Sequence, residues 1–545
     1  MKKGGYEGFL KTGRTLNYGK NGAVASPHYL ATQAGKEIIK KGGHAVEATI
    51  AMNAVLTVVY PHMSGLGGDV FSLVWDSTEK EVISFNGSGR SGSQVNRDKY
   101  RDYETIPERG PLAANTVPGV VDGWWQLHKR YGKLEWQDLF EDAIKYAEEG
   151  FIVTEKFSGY ISEKKDILKK NQESAKIFLP GGEYLKPGAH FKQKDVAWVL
   201  KKIAQEGASV FYEGEIAEKM ISSLQAEGGL LTMEDLKNHQ TTIEKPLVSD
   251  YKGLKVHEVK PNTQGIAALM MMNILKNQDI QEIGDNTADY YHLMAEAAKI
   301  AFYYRDKWVT DQEFIDVPTD QLLSEGHTKS MTESIDFDSV FDLNKLDTLP
   351  EIKSSKDTVY MAAVDAEGNS VSLIQSIYHE FGSAFIPEGC GFFLQNRGSF
   401  FSLDETHPNS LEPNKRTFHT IIPAMVTKEG KPYMIFGTMG GEGQPQTQSA
   451  ILTRVVDFGY NIQQAIEAPR WLYGRMWGDA STSLKLESRI PDSVRKILEE
   501  KGHTVEIETD YSQTMGHAQG IIVDQETGFY SAGADPRGDG LALCW

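Results

Sequence analysis

Three short features of the sequence carry the residue types needed to break an amide bond. Thr358 opens an alternating run, DTVYMAAVDAEGNSVSLIQSIY, directly after the acidic Asp357. A threonine hydroxyl is a weak nucleophile until a base takes its proton. Scission of the Asp357–Thr358 bond would supply that base, because the new α-amino group stays covalently fixed beside the hydroxyl. Its ordinary pKa, about 7.7–8.0, suits proton transfer near neutrality. Ser376, on the run that folds back onto the Thr358 run, can donate a hydrogen bond to the threonine hydroxyl. Gly440 and Gly441 end a third run, PYMIFGTMGG, and their N–H groups can face a cavity unobstructed, as an oxyanion hole requires. Each residue also has a plain reading: threonine favours strands, serine a surface, and paired glycines a tight turn. Position alone does not choose between the two.

The elements that must hold these residues differ along the chain. The first half reads as mainly helical. Residues 29–41 place Leu30, Ala34 and Ile38 on one face before a Gly42-Gly43 stop, and 45–59 read as a buried helix. Further helices are expected over 119–131, 136–149, 212–226 and 287–304, with Thr232 in capping-box spacing to Asp235. Two strand-like runs, VFSLVWD and EVISFNG, follow the glycine-rich turn PHMSGLGGD at 61–69. After about residue 350 the texture changes to three β-hairpins: the Thr358 run, IIPAMVTKEGKPYMIFGTMGG, and GIIVDQETGFYSAGADP. The polar stretch 351–357 is where a break could occur without dismantling a strand. The pattern predicts a layered α+β fold with helices outside two packed sheets.

Composition excludes several functions. Lys+Arg number 57 against 75 Asp+Glu, a net charge of −18 in 545 residues, which argues against nucleic-acid binding. Cys390 and Cys544 are too few for a disulfide framework or a metal cluster. No apolar run is long enough for a bilayer and the N-terminus lacks a signal-like apolar core, so a cytoplasmic location is expected. GSGRSG at 87–92 fits a dinucleotide fingerprint only by letter, since no apolar helix pattern follows it. His28, His62 and His379 lack paired ligand spacing, so neither a catalytic metal nor a cofactor is expected.

Across nearly the whole chain the sequence resembles the γ-glutamyltransferases, a family of N-terminal-nucleophile hydrolases. The likeness runs in order through GAVASPHYLATQAGKEIIKKGGHAVEA, PHMSGLGGD, TVPGVVDGW, FYEGEIAEKM, DTVYMAAVDAEGNSVSLIQS, FGTMGGEGQPQ, EAPRW and ADPRGDG. The resemblance implies an αββα sandwich, a proenzyme that cleaves itself between Asp357 and Thr358, and an acyl-enzyme mechanism. Residues 1–357 would form a large segment and 358–545 a small one that stay associated as one catalytic unit. Thr358 then matches the nucleophile, Ser376 its hydroxyl-bearing neighbour, and Gly440-Gly441 the oxyanion hole.

The substrate side departs from the γ-glutamyl pattern. Ser88 stands where the family has an arginine, with Arg90 two residues on; Tyr378 replaces an asparagine, Arg397 an amide or acid, Phe400 an aspartate, and His419-Thr420 a serine pair. Losing the aspartate removes the counter-ion for an α-ammonium, while Arg397 repels that ammonium and attracts a carboxylate. These strings look most like the branch containing oxamate amidohydrolase and cephalosporin acylases. The expected substrate is a small amide of an acidic acyl group, bound by Arg397, Tyr378, His419, Thr420 and Arg90, with Arg416 as a further aid. Two other readings stand beside it: a γ-glutamyltransferase or glutathione hydrolase that holds the α-amine differently, and an unprocessed relative that only binds ligands.

Overall fold

The computed structural model describes residues 12–342, 357–474 and 481–545. Eight strands frame the site. Asp69–Trp75 (β1) and Leu254–Glu258 (β2) come first, then Asp357–Val364 (β3), Ser370–Tyr378 (β4), Ala424–Lys428 (β5), Lys431–Thr438 (β6), Ala518–Val523 (β7) and Tyr530–Ala534 (β8). All three expected hairpins form: β3 with β4, β5 with β6, and β7 with β8, each antiparallel.

Alternation in the Thr358 hairpin does not divide core from water, because every residue of β4 is buried. It divides two apolar environments. Val359, Met361, Val371 and Leu373 pack against a helical layer that includes Val46, Ile50 and Val55. Tyr360, Ala362 and Ile374 point the other way and meet Met425, Ile435 and Ile521 of a second sheet. That second sheet in turn buries Val256, Val426, Met434 and Phe436 under another helical layer. The result is the expected αββα stack. One sheet has the order Leu541–Cys544, Ala23–Ser26, β3, β4, β1, Val82–Gly87, Thr242–Glu244. The other has the order Asn17–Gly19, β8, β7, β6, β5, β2, Leu247–Tyr251. Strands from before and after Asp357 are neighbours in both sheets.

Four helices matter below: Ala45–Val59 (α1), Gly265–Lys276 (α2), Ala288–Trp308 (α3) and Gln444–Val456 (α4). All fifteen residues of α1 are buried, including the polar Glu47, Thr49, Asn53 and Thr57, as its mainly apolar sequence predicts. Tyr29–Lys40 and Val120–Tyr131 agree with expectation to within a residue at each end. The run 136–149 divides into a 3-10 turn, Trp136–Phe140, and a helix, Glu141–Glu149. The run 212–226 begins as Ser209–Tyr212 and resumes as Glu215–Ala226 after Gly214. The Thr232 capping box is present, with Asp235 N–H donating to the Thr232 hydroxyl at 3.2 Å. The polar stretch before Thr358, residues 351–356, lies outside the described residues. No helix of the described residues is long and apolar enough to cross a membrane.

One core residue breaks the pattern. Glu258, at the end of β2, is fully buried, and among the described residues neither carboxyl oxygen has a hydrogen-bond partner. Burial pushes its carboxyl well above the ordinary range. An acid whose folded pKa is raised costs stability above its unfolded value, and that cost vanishes at low pH. Glu258→Met is therefore expected to raise the thermal midpoint at neutral pH, by an amount equivalent to about 1–3 kcal/mol. The gain should shrink as pH falls toward about 4.3, the unfolded value. Thermal unfolding followed at several pH values checks both parts.

Candidate active site

A local irregularity brings Thr358 and Ser376 to the same end of the sheet, but the expected hydrogen bond from Ser376 to the Thr358 hydroxyl is not formed. Asp357 pairs with Tyr378 and Val359 with Gln375, so the register shifts by one between them. The shift sets Thr358 against Ser376 and Ile377 at the end of the sheet, on the face turned toward the second sheet. Thr358 is 1% exposed, and its hydroxyl has no hydrogen-bond partner among the described residues. Ser376 accepts a hydrogen bond from Tyr378 N–H at 2.8 Å and pairs across the sheet with Asp69. Tyr378 holds φ at 79°, a conformation that costs a non-glycine residue about 1–3 kcal/mol and recurs at functional sites.

The glycine pair leaves the end of β6 in the second sheet. Gly440 has φ 128° and Gly441 φ 54°, which other residues adopt only under strain. Neither N–H donates a backbone hydrogen bond among the described residues, although the Gly440 carbonyl accepts from Gly443 N–H at 2.8 Å. The turn feeds directly into α4, whose N-terminal dipole adds positive potential there. Two free donors at a helix start can stabilise an oxyanion.

Sequence reasoning missed what holds that turn. Gln264, just before α2, donates through Nε2 to the carbonyls of Thr420 (2.6 Å) and Gly441 (2.9 Å). Its Oε1 accepts from Arg305 Nη1 at 2.9 Å, and Arg305 Nη2 reaches Glu442 Oε2 at 2.9 Å. Arg305 is fully buried near the end of α3, where the sequence shows only an ordinary basic residue closing a helix. Only the fold brings it over the glycine turn. Arg305→Met is expected to lower kcat by about 10- to 100-fold with a smaller change in KM, because one or two displaced donors each matter by a few kcal/mol. Steady-state kinetics decide this; an unchanged kcat would remove Arg305 from the positioning network.

Arg397 forms the opposite wall. It begins a 3-10 turn, Arg397–Phe400, and is fully buried. Its guanidinium lies 4.1 Å over the Tyr378 ring. Nη1 and Nη2 reach the hydroxyls of Thr420 and Ser376 only at 3.4 Å, and Nε has no partner. Among the described residues no carboxylate stands within ion-pair distance of it. Burial pulls its pKa down to about 10, against the opposing pull of Tyr378 and Asp69. Phe400, where an aspartate was looked for, packs on Tyr378 at 5.5 Å between ring centres.

Behind Arg397 lies a second buried pair. His419 Nε2 and Asp69 Oδ2 are 3.1 Å apart, and His419 Nδ1 has no partner. Asp69 Oδ1 accepts from Gly89 N–H (3.0 Å), Gly119 N–H (3.2 Å) and Gln395 Nε2 (2.9 Å). Burial pushes Asp69 up to about 7 while Arg397 holds it down. Burial, then Arg397, keep the His419 imidazole well below its ordinary value. In the sequence Asp69 is only the last residue of the glycine-rich turn PHMSGLGGD. Its position at the head of a strand after Gly67-Gly68 was the available signal.

Thus Ser376, Tyr378, Arg397, His419 and Thr420 share one wall. Arg90 does not join them. Its Nη1 donates to Asp311 (2.9 Å) and to the Asn414 carbonyl (3.0 Å), and its Nη2 to Glu313 (2.6 Å). Arg416 bridges back to Arg90 and donates to the carbonyls of Ser88 (3.1 Å) and Gln240 (3.2 Å). Both line a separate cavity of 220 Å³ with His239 and Asn414. Adjacency to position 88 misled because Arg90 is paired with Arg416 in an antiparallel bridge, just after Gly89, where a side chain would strike the Val117 carbonyl. GSGRSG, expected as a turn, is instead the end of a strand at Gly87 followed by extended chain, with Arg90 and Ser91 bridge-paired to Arg416 and Thr116. Among the described residues, His292, Glu296 and His503 have metal-ligand composition. They are already hydrogen-bonded, His292 to His503 at 2.8 Å and Glu296 to Lys299 at 2.6 Å.

Known proteins share this arrangement of sheets and sequence. The chain matches the γ-glutamyltranspeptidase family model over residues 31–545. It is 47% identical over 520 residues to a glutathione hydrolase-like YwrD proenzyme of Bacillus subtilis (strain 168), covering 95% of this chain and 98% of that one. It is 38% identical over 531 residues to an oxamate amidohydrolase proenzyme of Klebsiella pneumoniae, covering 96% and 99%. The crystal structure of cephalosporin acylase from Bacillus halodurans superposes with a TM-score of 0.90 at 35% identity, covering 99% of this chain and 98% of that one. With this coverage and the αββα fold, the chain belongs to the γ-glutamyltranspeptidase family, in company with its oxamate amidohydrolase and acylase relatives.

Proposed function

We propose that this chain is a self-processing amidohydrolase that removes acyl groups carrying a carboxylate but no α-amine. The observation that carries the reading is Arg397, a fully buried guanidinium beside Ser376 with no ion-pair partner among the described residues. A buried charge without a partner is costly, and an anionic ligand offsets that cost when it binds. The proenzyme names of the relatives support processing of the chain, which we place at Asp357–Thr358. Strands on both sides of that bond are interleaved in both sheets, so segments 1–357 and 358–545 would stay together.

Once the bond is cut, the Thr358 amine takes the hydroxyl proton and Oγ attacks the substrate carbonyl carbon. Gly440 and Gly441 N–H groups receive the oxyanion. The proton passes to the leaving amine, the C–N bond breaks, and the acyl ester on Oγ remains. Water, deprotonated by the same amine, then releases the acid and restores the hydroxyl. Arg397 fixes the distal carboxylate, with Thr420 and Tyr378 shaping its surroundings.

The glutathione hydrolase-like relative favours a second reading, in which the acyl group is γ-glutamyl. γ-Glutamyl- and glutaryl-p-nitroanilide differ only by the α-ammonium, so their kcat/KM ratio separates the two. The expected result is at least about tenfold preference for the glutaryl compound, from repulsion by Arg397. Robust γ-glutamyl turnover would overturn the reading.

A further inference from the structure

The compartment around Arg397 balances its own charge before any ligand arrives. Arg397 contributes one cation and Asp69 one anion, and both are fully buried. His419 Nε2 lies 3.1 Å from Asp69 Oδ2, where an anionic Asp69 can only accept, and His419 Nδ1 has no partner among the described residues, which leaves one ring nitrogen vacant. A substrate carboxylate placed on Arg397 leaves one negative charge in excess in a region without water-exposed surface.

We propose that the hydrogen-bonded Asp69–His419 pair takes up one proton from solvent when an acyl carboxylate occupies Arg397. Acid substrates then enter together with a proton, while neutral ones do not. This rests on the reading of Arg397 as the carboxylate site. Arg397 is the cation opposing protonation of both partners. An anion on its guanidinium cancels that opposition, so ligand and proton favour each other's binding. The groups facing the pair are few. Arg416 acts on Asp69 from the neighbouring loop, the Tyr212 hydroxyl is close enough to feel Asp69, and Tyr378 lies under Arg397. Phe71 meets His419 edge-on at 4.7 Å and carries no charge. Three N–H donors already occupy Asp69 Oδ1, which leaves Oδ2 and His419 to share the added proton as one titrating unit.

The test uses processed enzyme and two substrates, glutaryl-p-nitroanilide and the analogue whose free carboxylate is a carboxamide. Titration of the Thr358 amine affects both equally, so the ratio of their kcat/KM values cancels it. In wild type the acid-to-carboxamide ratio should fall roughly tenfold per pH unit above about pH 7, as uptake of one proton requires. In Asp69→Asn it should be flat; if that variant does not fold, His419→Gln should reduce the slope. A flat wild-type ratio, with the acid still preferred and that preference lost in Arg397→Gln, overturns proton uptake and leaves the Arg397 reading standing. No preference for the acid, with Arg397→Gln silent, overturns the reading beneath it. A slope that persists in both variants overturns the assignment to this pair.

Discussion

Thr358→Ala should run as a single chain of 545 residues on a denaturing gel, where wild type should yield fragments of 357 and 188 residues. One hydroxyl is asked to act twice. In the proposed processing, Thr358 Oγ would attack the Asp357 carbonyl carbon; the peptide nitrogen would leave as the threonine amine, and water would split the resulting ester. In the proposed turnover the same Oγ would attack the substrate. Removing it should abolish cleavage and reduce hydrolysis by about 10⁴- to 10⁶-fold, the scale seen when a nucleophile is deleted. Thr358→Ser should keep both reactions at lower rates. Coexpressing 1–357 with a separate 358–545 chain bearing Thr358→Ala separates the roles: it should assemble without hydrolysing amides. Fragments of the expected sizes from the single-chain alanine variant would place the nucleophile elsewhere.

The second large effect concerns affinity. Arg397→Gln should raise KM for glutaryl-p-nitroanilide by about 30- to 1000-fold, since truncating one partner of a buried charge pair costs roughly 2–4 kcal/mol. The carboxamide analogue should change far less. Stability supplies an independent readout. In the ligand-free protein Arg397 is a buried cation with two long contacts and an unpartnered Nε, so its removal should leave the thermal midpoint unchanged or higher. Loss of acid binding without loss of stability is the signature of a residue kept for its ligand. A large stability drop with unchanged KM would make Arg397 structural.

Much of the fold was legible because local signals agreed. The hairpins, the buried α1 and the Thr232 cap each combine periodicity with a fitting boundary residue. What the sequence could not show is which distant groups meet. Asp69 reaches the site because β1 pairs with β4 in a register that opposes it to Ser376. Arg305 lies 41 positions from Gln264 and 137 from Glu442, and only the packing of α3 across the glycine turn joins them. Arg90 shows the converse. It is near the right position in sequence, yet its side chain is ion-paired with Asp311 and Glu313.

The burial of Thr358 within a paired strand has a consequence for the finished protein. Ordinary chain ends lie at the surface, where they fray and are open to trimming and capping enzymes. A terminus created at Thr358 would instead arise at the end of a strand paired with Ser370–Tyr378, and 1% exposed. Aminopeptidases and acetyltransferases act on ends they can grasp, and this one is delivered only after folding has enclosed it. Its free amine would be protected by the same strands that position it.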